Sequence, residues 1–252
     1  MVGPFGMRPR KTMRVRALAI GKALAARGHT VTMVLPPWQN LEDEGRRWRE
    51  DGVTVENIPL PPDVPGLFHL LTALRLTRRV LALRPDVVHL FKPKAYSGLT
   101  HWLLGRLPPA RRPRLVMDTD DWEGAGGWNA LQDYGWLERR FFAWQERWSL
   151  THADAVTVAS RTLESLVWAM GVPPDRVFYV PNGVDGRTGW EDGRGRADSD
   201  RSRDACILLY TRFFEFPVSR VIEVLRRVRE HVPAARLLVV GEGLFGEEEE
   251  LF

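Results

Sequence analysis

Three short stretches carry residue types from which a reactive site could be assembled. In "DTDDWEGAGGW", residues 118 to 128, Asp118, Asp120, Asp121 and Glu123 crowd four carboxylates beside Trp122 and Trp128. Carboxylates this close raise one another's pKa, so that one can serve as a base, and an indole face stacks on a sugar ring. A solvated acidic loop with both indoles turned inward fits the same letters. Asp118, Thr119 and Asp120 also spell DxD, but spacing alone does not assign a metal, and none is assigned.

The second stretch is "HLFKPKAYSG", residues 89 to 98, where Lys92 and Lys94 follow His89 at the end of an apolar run. Two lysines there suit an anionic group on a substrate. A histidine at a strand end is more often a satisfied structural side chain. The third stretch is "GPFGMRPRKT", residues 3 to 12. Gly3 and Gly6 permit close backbone approach, and the free N–H groups of a following helix suit a phosphate. The spacing is not GxGxxG, and a plain strand-to-helix turn is the commoner cause of such glycines.

The elements that must position these loops read as alternating strands and helices. Short β-rich runs at 31–35, 53–58, 86–91, 114–118, 154–158 and 176–180 are separated by longer helix-like segments, a pattern that predicts a doubly wound, mostly parallel sheet. In that architecture ligands sit beyond the carboxyl ends of the strands, where all three loops fall. A first helix is expected over 12–27, with Ala17, Ile20 and Leu24 on one face and a stop at Gly28. "WLERRFFAWQERWSL", residues 136 to 150, mixes aromatics and arginines at near-helical spacing. Its expected fate is burial of one aromatic face against the sheet; the alternative is contact with an anionic membrane.

Composition narrows the classes. The 252 residues carry a formal charge of +4, with 32 acidic residues interspersed among 36 basic ones, so no basic stripe for nucleic acid emerges. One cysteine excludes a disulfide within the chain, and Cys206, in "CILLY", reads as a small buried hydrophobe in a reducing compartment. Nowhere do eighteen apolar residues run together, so no membrane span is expected. The N-terminus lacks a continuous apolar signal core, which points to the cytoplasm.

After "VPNGVD", residues 180 to 185, the apolar rhythm stops. We expect an N-terminal domain over 1–183, a flexible tether over 184–204 and the opening of a second Rossmann-like domain over 205–252. The first strand, "MVGP", is nearly absent and the second domain ends after two strands. Both ends are therefore expected to be edges of a shortened chain.

"ADAVTVASRTLESLVWAMGVPPDRVFYVPNGVD" at 153–185, "LAARGHTVTMVLPP", "RPDVVHLF", "LLYTRFFEF" and "LLVVGEG" together resemble the retaining GT-B glycosyltransferases of the glycosyl transferases group 1, or family 4-like, type. The resemblance implies an α/β, GT-B-like fold in which an acceptor-side domain faces a nucleotide-sugar domain. It implies transfer of a sugar with retention from a UDP-, GDP- or ADP-sugar donor to a glycan, lipid-linked or small-molecule acceptor. No cofactor and no metal are implied.

By the same resemblance Gly3, Gly6, Arg212, Gly241 and Gly243 are donor-side residues, and His89, Lys92, Asp121 and Trp122 acceptor-side ones. Asp120 stands where many members carry an acceptor-facing histidine, and is the catalytic candidate. The paired glutamates that members use to grip the donor are not found before Phe252, so this chain alone is expected to show little or no turnover. The alternatives are a nucleotide-sugar epimerase of similar plan and a non-catalytic glycan- or phosphate-binding module. A place at the inner face of a membrane, by peripheral contact, is compatible with a lipid-linked acceptor.

Overall fold

The computed structural model describes residues 1–9, 12–64, 67–124, 126–183, 205–211 and 216–241. The chain divides into two compact units, Met1–Asp185 and Gly186–Phe252. The expected tether at 184–204, and the candidates Arg212 and Gly243, lie outside the described residues.

The first unit is built on β1 (Val31–Leu35), β2 (Arg47–Glu50), β3 (Val53–Asn57), β4 (Val87–Phe91), β5 (Arg114–Thr119), β6 (Ala155–Val158) and β7 (Val177–Tyr179). Helix α1 (Leu18–Ala26) precedes β1, and α2 (Phe68–Ala82), α3 (Ala95–Gly105), α4 (Trp128–Leu131), α5 (Trp136–His152) and α6 (Arg161–Ala169) lie between the strands in the chain. Strands β1 and β3 pair in parallel, as do β4, β5, β6 and β7 in that order. Val2 joins the two groups by bridging Val34 on one side and Leu90 on the other. Its N–H donates to the His89 carbonyl at 2.8 Å and its carbonyl accepts from Phe91 N–H at 2.8 Å. The nearly absent first strand is thus a single residue in the middle of the sheet.

Alternation along the strands sorts the core into two clusters. Val34, Val88, Leu90 and Met117 pack with Ala73 and Leu76 of α2, Leu104 of α3 and Leu163 of α6. Met33, Leu35, Val55 and Phe91, from the other parity, pack with Met13, Ala17 and Leu18. The expected helix over 12–27 opens as a π-helical turn, Met13–Ala17, before α1 begins. Gly28 follows at φ +90, the left-handed stop.

Strand β2, not anticipated, runs antiparallel to β3. The second unit contributes β8 (Cys206–Tyr210) and β9 (Arg236–Val240), paired in parallel, with α7 (Val218–His231) between them in the chain.

Two expectations are corrected. Cys206 is exposed rather than buried, because it shares the open face of its two-stranded sheet with Leu208 and Tyr210. The aromatic face of α5 is not turned to the sheet: the residues it buries are Gln145, Glu146, Ser149 and Leu150. Polar partners fix that inner side, since Gln145 Oε1 accepts from Ala95 N–H at 2.9 Å and Gln145 Nε2 donates to the Ala95 carbonyl at 3.1 Å.

Candidate active site

The carboxyl ends of β4 and β5 bring two of the three loops together. Beyond β4, Lys92 adopts φ +62, a left-handed bend that turns its side chain across the neighbouring strand end. Its Nζ donates to Asp121 Oδ2 at 2.7 Å and to Glu123 Oε1 at 3.5 Å, and lies 3.1 Å from Asp120 Oδ1. Asp120 Oδ1 is buried, and the Lys92 ammonium is the cation that faces it. Lys94 Nζ donates to Glu123 Oε2 at 2.8 Å. The acidic loop is therefore a cross-linked, largely buried cluster, with Asp121 on its solvent side.

Burial sets the proton affinities here. It pushes the Asp120 carboxyl up, against the pull of Lys92, and Asp121 and Asp118 add to the rise. Burial works against the Lys92 charge, but Asp120, Asp121 and Glu123 outweigh it and hold the ammonium above its ordinary value. Glu146 of α5 accepts the Glu123 N–H at 2.9 Å, and burial raises its carboxyl to about 7.

A second layer lies on the sheet face covered by the π-helical turn. Register places Phe91, Asp118 and Thr157 side by side. Arg16 Nε and Nη2 each donate to Asp118 at 2.7 Å, while Nη1 donates to the Val180 carbonyl and to Asn182 Oδ1 at 2.9 Å. Thr157 O–H donates to Asp118 Oδ2 at 2.5 Å, and His89 Nε2 lies 3.0 Å from Thr157 Oγ1. With the only Thr157 hydroxyl hydrogen committed to Asp118, the histidine must donate through Nε2. Burial lowers the His89 pKa to about 4, so the ring is neutral.

The glycine turn approaches both neighbours. A Cβ on Gly3 would fall 2.5 Å from Met13 Cε and 2.8 Å from Leu35 Cδ2, and one on Gly6 would fall 3.3 Å from Pro37 Cα. Gly241, in the second unit, has φ +139, and a Cβ there would meet the Thr211 carbonyl oxygen at 1.9 Å.

Of the sequence candidates, Lys92, Asp120 and Asp121 converge. Trp122 follows them, half-buried against the larger core cluster. His89 sits back within β4 and belongs to the Asp118 layer. Reasoning from sequence passed over Arg16, Glu146, Thr157 and Asn182. Arg16 had a signal, because it falls between Met13, Ala17 and Ile20 on the apolar face of its helix, where an arginine requires a buried partner. Among the described residues no group of three or more histidine, cysteine, aspartate or glutamate side chains is placed to hold a metal ion. No helix among them is long and apolar enough to cross a membrane.

The fold has known counterparts. Anabaena Alr3699/HepE, solved with UDP and glucose, superposes with a TM-score of 0.59 at 16% identity, covering 99% of this chain and 62% of that one. The lipopolysaccharide outer core galactosyltransferase WaaB, in its apo form, gives 0.57 at 11% identity, covering 99% and 62%. The chain thus spans less than two thirds of the length of these neighbours, and they show an α/β fold of GT-B type. No curated protein matches the chain. The glycosyl transferase 4-like domain model matches residues 11–183, which include every residue of the Lys92 cluster and of the Asp118 layer. The chain belongs to the glycosyl transferase 4-like domain family.

Proposed function

We propose that the protein takes part in glycosyl transfer, moving a sugar from a nucleoside-diphosphate donor to an acceptor hydroxyl with retention at the anomeric carbon. The acceptor oxygen bonds to the anomeric carbon as the bond from that carbon to the diphosphate breaks. The hydroxyl proton passes to the departing diphosphate oxygen. The nucleotide sugar is a substrate, so the reading requires no organic cofactor. A cytoplasmic setting, where nucleotide sugars are made, fits it.

The observation that carries the reading is the convergence of Lys92, Asp120 and Asp121 at the carboxyl ends of β4 and β5. Asp120, paired with the Lys92 ammonium at 3.1 Å, would take the acceptor hydroxyl as a further partner of its carboxylate. Lys92 holds Asp120 and Asp121 in place, and Trp122 offers an apolar wall. Gly3 and Gly6 would bring backbone N–H groups near the donor phosphates. The UDP and glucose in HepE support a donor of this class.

The test is donor binding by calorimetry with UDP-, GDP- and ADP-sugars, followed by transfer to glycan, lipid-linked and small-molecule acceptors, with product configuration read by NMR. Asp120→Asn is expected to lower transfer by about 10- to 100-fold, the loss of a hydrogen bond from the acceptor hydroxyl to a charged group. Conversion of donor without an acceptor would replace this reading with epimerisation. Absence of affinity for every sugar nucleotide would replace it with a binding module.

A further inference from the structure

We propose that the outer face of α5 docks the protein on an anionic lipid bilayer. The inference is independent of the sugar-transfer reading and rests on a helix whose burial is inverted. A helix on a globular protein ordinarily turns its apolar stripe inward. Here the inward positions include Gln145, Glu146 and Ser149, whereas Trp136, Leu137, Phe141 and Trp144 are 68%, 73%, 40% and 43% exposed.

At 100° per residue the exposed side chains form one face. Trp136, Leu137, Arg140, Phe141, Trp144 and Arg147 lie on it, opposite Gln145 and Ser149. The rings are ordered along the helix: Phe141 stacks on Trp144 with centroids 5.8 Å apart, and Trp144 lies 6.4 Å from Trp148. Arg140 rests over the Trp136 ring at 5.2 Å. At the end of α3, which packs against α5, Arg106 lies over the Trp102 ring at 4.2 Å.

Charge selects the occupant. Arg139, Arg140 and Arg147 are exposed, whereas Glu146 is buried and the Glu138 carboxylate closes on the Gly135 N–H at 2.9 Å. Aromatic rings interleaved with arginines suit the headgroup region, where the indoles and phenyl sink to the acyl boundary and the guanidinium groups meet lipid phosphates. A second copy of the chain fits poorly. A two-fold interface over this face would bury Arg140 and Arg147 against residues of the same face, which offers them no carboxylate. The exposed apolar line of α2, Leu67, Leu70 and Leu74, carries no aromatic ring and supports no such assignment.

The 252-residue protein is tested by co-sedimentation with phosphatidylcholine vesicles with and without phosphatidylglycerol. Binding is expected to the anionic vesicles, to weaken with salt, and to fall about fivefold for each of Arg140→Gln and Arg147→Gln. The combined change Trp136→Ser, Leu137→Ser, Phe141→Ser and Trp144→Ser should abolish it while the melting temperature stays near that of the parent. A fluorophore on Leu137→Cys, in a Cys206→Ser background, should brighten with anionic vesicles, and one on Ser165→Cys of α6 should not.

Absence of binding, or binding unchanged by the serine substitutions, overturns the proposal. So does a dimer in light scattering that those substitutions disperse, which would assign the face to a second copy.

Discussion

Arg16 and Asp118 stand 102 residues apart in the chain and share two hydrogen bonds of 2.7 Å, with side chains 2% and 0% exposed. Removing one member of such a pair leaves the other charge buried without its counterion, at a cost of roughly 3–5 kcal/mol. Arg16→Met and Asp118→Asn are each expected to lower unfolding free energy by that order in urea titration. Arg16→Lys should recover little, since an ammonium cannot reach Asp118, Val180 and Asn182 together. A lysine variant as stable as the parent would remove the fork from the account.

Lys92 holds three carboxylates, and its loss should depend on pH. In Lys92→Met the Asp120 carboxyl, already raised by burial, loses the cation that pulls it down and must rise further in the folded state. The deficit is then fully expressed above that raised value and shrinks as Asp120 takes up its proton in acid. We expect a loss of about 2–5 kcal/mol at pH 8 and a smaller one at pH 5. Equal losses at both would show that packing, not charge, is what the lysine supplies.

The turn after the acidic loop depends on Gly127. A Cβ there would lie 2.1 Å from the Trp122 carbonyl oxygen and 2.6 Å from Trp122 Cδ1. Gly127→Ala should cost about 1–3 kcal/mol and alter the near-ultraviolet dichroism of the tryptophans. At Gly126, where φ is +79 and nothing lies within 4 Å of the added carbon, alanine should cost only the backbone strain, on the order of 1 kcal/mol. Reversal of the two costs would refute the steric argument.

Glu146 makes a signed prediction. Burial raises its carboxyl from 4.5 to about 7, so its contribution to stability is fully present below pH 4.5 and is lost as the pH rises through 7. Glu146→Gln keeps an acceptor for the Glu123 N–H and removes the titration. The variant should melt with the parent at acid pH and above it at pH 8. His89, lowered by burial to about 4, has the opposite sign: its contribution is present above 6.5 and lost as the pH falls through 4. It cancels when the two proteins are compared at the same pH. A variant no more stable than the parent at pH 8 would refute the shift.

The parallel sheet was legible because apolar runs of strand length alternated with longer periodic ones. Each of the six β-rich runs matches a strand of the first unit to within one residue at either end. Strand β2 was missed because "RWRE" has one apolar residue, yet the Asp-Gly that follows it was a readable hairpin signal. Glu50 pairs with Val53, and Asp51 and Gly52 take φ +44 and +86, as a type I′ turn requires. The aromatic period of α5 was correctly seen, but a period does not reveal which side of a helix meets the sheet. Likewise the four carboxylates and Lys92 could be named from their loops, whereas the Arg16 and Glu146 contacts arise only when distant segments fold together.

The way Gln145 meets Ala95 bears on what α5 can transmit. Its side-chain amide pairs with both backbone groups of a residue held at φ +51, much as one extended strand pairs with another. Greasy surfaces tolerate sliding, but a pair of directional bonds sets α5 and the start of α3 in one axial register. The same pair ties α5 to the bend that carries Lys92, three residues earlier along the backbone.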